Sequence, residues 1–335
     1  MKKSIAIFTF LCLAVGFASA KIDTKKLEYS IPYIPVEMRS TILPEHNICS
    51  IAPAAESSDY FITGSGTLRM QASGQPYNEV VTYTQEDLYA PKWAETPLPP
   101  DLRPYLSRIR QLLLEGKPDE ANALVDEAQK KAGFEKYMNF DNRILYPVGG
   151  PSRHTAFTLT FRRPEQPDTR DYLRFLDMQN GMITAMWTDA RGSFRNECFC
   201  AYDGDVTVNR FTAPKGQLDL DVELQLPRLA DSTHELNIED GAITLATAYN
   251  PEFGHKGYAV VIRFLPKGGT MEKTEKGMRV SGADGLMIVS KIVRVESDFT
   301  YECVKPVRDG LMAMKVDFDK MLKGNEKYIG ERMDR

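Results

Sequence analysis

The sequence is poor in the features that mark most membrane and catalytic classes. Beyond residue 20 it has no run long and apolar enough to cross a bilayer as a helix, which takes roughly 20 residues. Its four histidines and five cysteines show no CxxC or HxxxH spacing, so neither a zinc site nor any other metal site is expected. A GxSxG elbow, a P-loop, an HExxH helix and a GxGxxG turn opening a helix are all missing, and no cofactor is expected. Nor is there an excess of positive charge: the net charge of −4 argues against nucleic acid and against an anionic lipid surface. Internal repeats and low-complexity tracts are absent as well.

What is present begins with an export signal. Lys2 and Lys3 form a short positive segment, residues 5–17 are nearly all apolar, and Ala18-Ser19-Ala20 supplies a small-residue cleavage pattern. Cys12 follows Thr9-Phe10-Leu11, not the small residues that precede a lipidated cysteine. Cleavage after Ala20 is therefore expected, giving a secreted or periplasmic chain whose net charge falls from −4 to −6 with the two lysines. An oxidising compartment allows disulfides, yet Cys49, Cys198, Cys200 and Cys303 suggest no framework. Cys198 and Cys200 share one face of a strand, where neighbours two apart bridge poorly, so packed thiols are expected.

The roughly 315 residues after Ala20 can bury a large core. Residues 21–100 alternate turn residues with short apolar runs and end in a proline-rich connector, Pro91-Lys92-Trp93 and Pro97-Leu98-Pro99-Pro100. Residues 101–133 read as a helical hairpin. In its first helix Leu102, Tyr105, Leu106, Ile109, Leu112 and Leu113 recur at helical spacing, and Gly116 ends the pattern. Pro118 opens a second helix with Asp119 and Glu120 at its positive end; Ala121, Leu124, Val125, Ala128 and Ala132 form its apolar stripe, and Gly133 caps it.

From about 143 to 305 the pattern is strand after strand. Phe157, Leu159 and Phe161 alternate with threonines, and Leu218, Leu220, Val222 and Leu224 alternate with acids. Residues 206–211, 243–249, 258–264 and 286–293 continue the series, with turns expected at Asp203-Gly204, Glu239-Asp240-Gly241, Gly268-Gly269 and Ala283-Asp284-Gly285. Strands at this spacing without helices between them imply antiparallel sheets packed face to face. The fold class expected is mainly β: a large antiparallel β-sandwich (a super-sandwich, residues 21–310) with an inserted helical hairpin and a C-terminal linker helix starting near 311. In that tail Phe318, Met321, Leu322, Tyr328, Ile329 and Met333 share one helical face, which either docks back on the sandwich or leads into a continuation beyond Arg335.

The densest polar-aromatic constellation is Tyr83-Thr84-Gln85-Glu86-Asp87-Leu88-Tyr89, followed by Trp93. Acids accept hydrogen bonds from sugar hydroxyls and aromatic faces cover the apolar face of a pyranose ring. The same residues suit a turn with packed aromatics. Adjacent carboxylates are not a glycosidase pair, which must converge on one pocket from opposite sides of the scissile bond, roughly 5–10 Å apart. No catalytic residue is assigned. Gly64-Ser65-Gly66, flanked by strand-like residues, reads as a turn or bulge.

Four phrases in order carry a family resemblance: Gly64-Ser65-Gly66-Thr67-Leu68 with Thr84-Gln85-Glu86-Asp87-Leu88-Tyr89; Ile109-Arg110-Gln111-Leu112-Leu113-Leu114-Glu115-Gly116-Lys117-Pro118-Asp119-Glu120-Ala121; Tyr172-Leu173-Arg174-Phe175-Leu176-Asp177; and Phe194-Arg195-Asn196-Glu197-Cys198-Phe199-Cys200 through Asp205-Val206-Thr207-Val208-Asn209-Arg210-Phe211. This order resembles the N-terminal region of glycoside hydrolase family 95, the α-L-fucosidases and related α-L-galactosidases. The resemblance implies an N-terminal β-sandwich joined by a linker helix to an (α/α)6 barrel that holds the catalytic acid and an asparagine-assisted base. None of that barrel is present in this sequence, so no catalytic residue carries over. The usual tryptophan-containing opening before the glycine turn is also missing.

The resemblance implies an exported fucosidase-type sandwich domain, inactive alone, acting on a fucosylated or related glycan in the complete enzyme. Gln85, Glu86, Asp87, Tyr89 and Trp93 are its substrate- or barrel-facing candidates, and the tail helix, if exposed, is a candidate association surface. The alternative is a free-standing carbohydrate-binding or scaffold protein of a glycan-degradation system, with Tyr83, Tyr89 and Trp93 as exposed aromatics.

Overall fold

The computed structural model describes residues 31–90, 100–133 and 153–333, apart from 228, 230, 231, 252 and 253. The export signal and Trp93 lie outside the described residues. Along the chain run α1 (Val36–Arg39), β1 (Asn47–Ser50), β2 (Phe61–Gly64), β3 (Leu68–Ala72), β4 (Asn78–Gln85), α2 (Leu106–Leu114) and α3 (Pro118–Lys131). Then come β5 (Phe157–Arg162), β6 (Arg170–Asp177), β7 (Met182–Asp189), β8 (Gly192–Ala201), β9 (Val206–Thr212), β10 (Leu218–Gln225) and β11 (Thr233–Glu239). The chain continues through β12 (Ala242–Ala248), β13 (Gly257–Lys267), β14 (Thr270–Lys273), β15 (Gly277–Ala283), β16 (Gly285–Val295), α4 (Val304–Ala313) and α5 (Phe318–Met333).

The strands form two antiparallel sheets, one ordered β1-β6-β7-β8-β9-β16-β13-β12-β11 and the other β14-β15-β10-β5-β4-β3-β2. The β-sandwich expected from the alternation is the fold. Leu218, Leu220, Val222 and Leu224 of β10 are buried in the same core as Ile183, Ile243, Val260, Ile262 and Ile288 of the larger sheet. Gly64-Ser65-Gly66 is the β2–β3 turn, with Gly66 at φ +91°. Ala283-Asp284-Gly285, however, is not a hairpin. There the chain passes from β15 in one sheet to β16 in the other through Asp284 alone. Asp284 N donates to Lys267 O (2.8 Å) and its carbonyl accepts from Ala213 N (3.1 Å). The next position must be glycine, because a Cβ on Gly285 would lie 2.8 Å from Phe211 O.

The helical hairpin forms where the spacing places it. Gly116 adopts φ +73° between α2 and α3, and Pro118 opens α3. Its buried stripe is narrower than the periodicity implies. Leu112, Ala121 and Ala128 are buried, whereas Leu106, Leu113, Leu114 and Ala132 are exposed, Leu114 by 90%.

The outward face of the larger sheet is apolar at Phe199, Ala201, Val206, Val208, Val261 and Val289, and it packs against Leu311, Phe318 and Met321. The face of α5 that carries Phe318 and Met321 thus docks back on the sandwich, one of the two alternatives its spacing left open. α4, which lies where strand was expected to give way to linker, covers part of the same surface; Arg263 Nη1 donates to the carbonyls of Leu311 (3.2 Å) and Met314 (2.9 Å) at its end. α5 is fixed by Asn325, 1% exposed. Its Nδ2 donates to Cys200 O (2.8 Å) and Asn180 O (3.2 Å), and its Oδ1 accepts from Tyr202 N (3.0 Å). The Tyr328 ring stacks on Tyr202 at 3.6 Å, and Arg210 joins Glu197 (2.7 Å) while its guanidinium lies 3.4 Å from the Phe318 ring centre.

Polar groups are also enclosed between the sheets. The Tyr83 hydroxyl donates to Asn209 Oδ1 (2.8 Å), and the ring stacks on Phe157 at 4.3 Å. Tyr83 is wholly buried and is therefore not the exposed aromatic expected of a glycan platform. Glu79 Oε1 accepts from Gly74 N (3.0 Å) and Ser73 Oγ (3.2 Å). Arg163 Nη2 donates to Asn196 Oδ1 (2.6 Å), and its guanidinium lies over Trp187 at 4.9 Å. Burial pushes the Glu79 carboxyl up to about 7 against the bonds from Gly74 and Ser73, the nearby Arg163 charge and the Asn196 amide, and lowers the Arg163 guanidinium to about 9. Cys198 and Cys200 are buried free thiols, as their shared face implies.

Two predictions follow from these contacts. Asn325→Ala leaves buried backbone groups at Cys200 and Tyr202 without partners; urea denaturation should show a loss of about 2–4 kcal/mol, against under ~0.5 kcal/mol for the exposed Glu326→Ala. Between its ordinary value of 4.5 and about 7, Glu79 binds more protons folded than unfolded. Its contribution is therefore complete below the lower value and lost as pH rises through the upper one. Glu79→Gln should accordingly gain on the order of 2–3 kcal/mol relative to wild type between pH 4.5 and pH 8 in paired denaturation curves.

Candidate functional site

The polar-aromatic phrase sits at one end of the sandwich, where the chain leaves β4 for the helical hairpin and returns into β5. The β-ladder carries Gln85 opposite Leu68, and Glu86 N donates to Thr67 O (2.7 Å). Leu88 is fully buried and plugs the turn, its carbonyl accepting from His154 N (3.2 Å). Tyr89 and Arg153 form an isolated antiparallel bridge, so the outgoing and returning chains lie side by side.

Side chains from both sheets converge on this turn. Arg153 Nη2 donates to the Tyr89 hydroxyl (3.1 Å), its guanidinium lies 5.5 Å from the ring centre, and Glu86 is 4.0 Å away. From β16 of the facing sheet, Arg294 donates to the carbonyl of Asp87 and pairs with Glu296 (2.8 Å). Beneath them, His154 Nε2 lies 2.8 Å from the Tyr249 hydroxyl and Nδ1 2.8 Å from Thr155 O. A carbonyl only accepts, so Nδ1 carries the proton and Nε2 accepts from Tyr249. Burial lowers the proton affinity of His154, the carbonyl bond opposes this, and the Arg294 charge lowers it further. Burial likewise raises the Tyr249 hydroxyl.

Of the residues predicted from sequence, Glu86 and Asp87 are exposed, while Gln85 and Tyr89 are half-buried in the same turn. Gln85 Oε1 is buried without a hydrogen-bond partner. Arg153, His154, Tyr249, Arg294 and Glu296 come from other segments that the phrase did not reveal. Among the described residues no group of three His, Cys, Asp or Glu is placed to hold a metal ion.

Two carboxylates here are engaged with arginines, Glu86 near Arg153 and Glu296 on Arg294. Such a surface presents charge-assisted donors and acceptors beside an aromatic ring, suited to gripping polyhydroxylated or polar partners. The Arg294 contribution to His154 is directly measurable. In an NMR titration, Arg294→Ala should move the His154 midpoint upward, while Arg294→Lys keeps it near wild type; an unmoved midpoint in the alanine variant would leave burial as the sole cause.

Among proteins of known structure, the chain is similar to one described as a kojibiose phosphorylase from the human microbiome. Identity is 10% and the TM-score 0.38, over 81% of this chain and 36% of that one. It is also similar to a family GH92 α-mannosidase from Bacteroides thetaiotaomicron, at 11% identity and TM-score 0.29, over 53% of this chain and 30% of that one. The chain thus spans about a third of the length of these structures. No curated protein matches it. The family model described as "Glycosyl hydrolase family 65, N-terminal domain" matches residues 48–301, which contain both sheets apart from the first residue of β1 and the whole of the described end cluster. The resemblance drawn from the four phrases therefore holds for a glycoside hydrolase N-terminal sandwich, and the chain belongs to the family of glycosyl hydrolase family 65 N-terminal domains.

Proposed function

We propose that this chain is the sandwich part of an exported glycoside hydrolase of the α-L-fucosidase type, that it turns over no glycan alone, and that its polar-aromatic end faces the catalytic partner or its glycan. The carrying observation is that Gln85, Glu86, Asp87 and Tyr89 fold into one turn that Arg153 and Arg294 grip from two sides. Membership of a glycoside hydrolase domain family supports the carbohydrate reading. The leader of Lys2, Lys3 and the Ala18-Ser19-Ala20 pattern supports a secreted or periplasmic site of action. The fucosidase type rests on the four ordered phrases.

A second reading, a free-standing glycan-binding or scaffold protein, is favoured by the joint exposure of Glu86 and Asp87 beside Tyr89. One set of measurements separates the two. The purified chain should release no fucose from fucosylated oligosaccharides or aryl fucosides, and turnover would overturn the first reading. In calorimetry with the same oligosaccharides, heat in wild type that is lost in Tyr89→Ala and Trp93→Ala selects the second reading. No heat in any of the three removes it.

A further inference from the structure

Between the sheets, away from the end cluster, lies a cavity of about 20 Å³ whose wall includes Glu79, Asn196, Cys198 and Asn209. Glu79 is 4% exposed and Asn196 8%. Each uses only one end of its polar group. Glu79 Oε1 takes both bonds, from Gly74 N and Ser73 Oγ, while Oε2 has no partner. Asn196 Oδ1 accepts from Arg163 Nη2 (2.6 Å), while Nδ2 lies near enough to Glu79 to favour its anion but makes no bond of hydrogen-bond geometry. The two orphaned atoms come from opposite sheets, Glu79 on β4 and Asn196 on β8.

Buried polar atoms are rarely left unsatisfied, and the usual remedy where two fail to meet is an ordered water. A cavity holds one when it offers roughly 10–15 Å³ and two to four polar partners. This one meets both conditions. The remaining wall is mostly apolar, with Ala72, Val81, Ile183, Ala185 and Phe211, and Glu197, which also lines it, is paired with Arg210.

We propose that this cavity is an internal hydration site: one water accepts from Asn196 Nδ2 and bonds Glu79 Oε2, joining the two sheets at their centre. Water fits both forms of the carboxyl, donating to the anion and accepting from the acid. The Arg163–Asn196 bond fixes the amide so that Nδ2 is left for the water.

A high-resolution crystal structure of the chain should show a solvent peak within about 3.2 Å of both Glu79 Oε2 and Asn196 Nδ2. An amide bonded directly to the carboxyl, or a cavity without a peak, would overturn the proposal. In solution, water magnetic relaxation dispersion should register one long-lived water fewer in Asn196→Leu than in wild type, and equal counts would count against the site. Xenon pressurisation of wild-type crystals needs no variant to fold. Dry apolar cavities take up the gas, so xenon density here would overturn the assignment, and exclusion supports it.

Discussion

A wide sheet whose central strands are apolar on both faces has to be covered twice. Here β8, β9, β13 and β16 present Cys198, Phe211, Ile262 and Ile288 to one side and Phe199, Val208, Val261 and Val289 to the other. The seven-stranded sheet covers the first face; α4 and α5 cover the second. At roughly 25 cal/mol per Å² of apolar surface, leaving either side wet forfeits several side chains' worth of burial. The tail helices are thus part of the sandwich core. Polar groups under the tail helices are tied down by particular contacts. Asn325 satisfies backbone groups beneath α5, and Arg210 joins Glu197 to the start of the same helix.

The same constraint places the end cluster. Turns gather where strands of both sheets stop, so residues remote in sequence are brought together without a pocket being carved from the core. Arg294 ends β16 and Arg153 precedes β5, and both reach the turn after β4. Each arginine is partly shielded by its aromatic or acidic neighbour, which strengthens charge-assisted bonds relative to an open surface. The cluster is a grip between sheets as well as a surface for a partner.

Much of this architecture was legible in the sequence, and the misses have physical causes. The alternation of Leu218 to Leu224 specified one buried face, and Gly116 with Pro118 specified the hairpin's turn. α4 was hidden because Pro306 and Gly310 break its helical texture, although proline is tolerated in a first turn. Tyr83 read as exposed because polar residues surround it, yet it keeps the two-residue period of Glu79 and Val81, all three of them buried. The partners of Tyr89 left no local trace. Arg153, Tyr249 and Arg294 meet through strand pairings separated by scores of residues, which no window of sequence spans.

The bridge between Tyr89 and Arg153 has a consequence beyond the site. The helical excursion begins and ends at adjacent points, so the sandwich treats it as a closed loop. Loop-closure entropy grows only as the logarithm of length, about 0.6 kcal/mol per doubling. The segment can therefore be lengthened, shortened or exchanged at small thermodynamic cost while β4 and β5 stay in register. That makes it the part of this domain most open to evolutionary rewriting, beside residues whose chemistry such rewriting would retune.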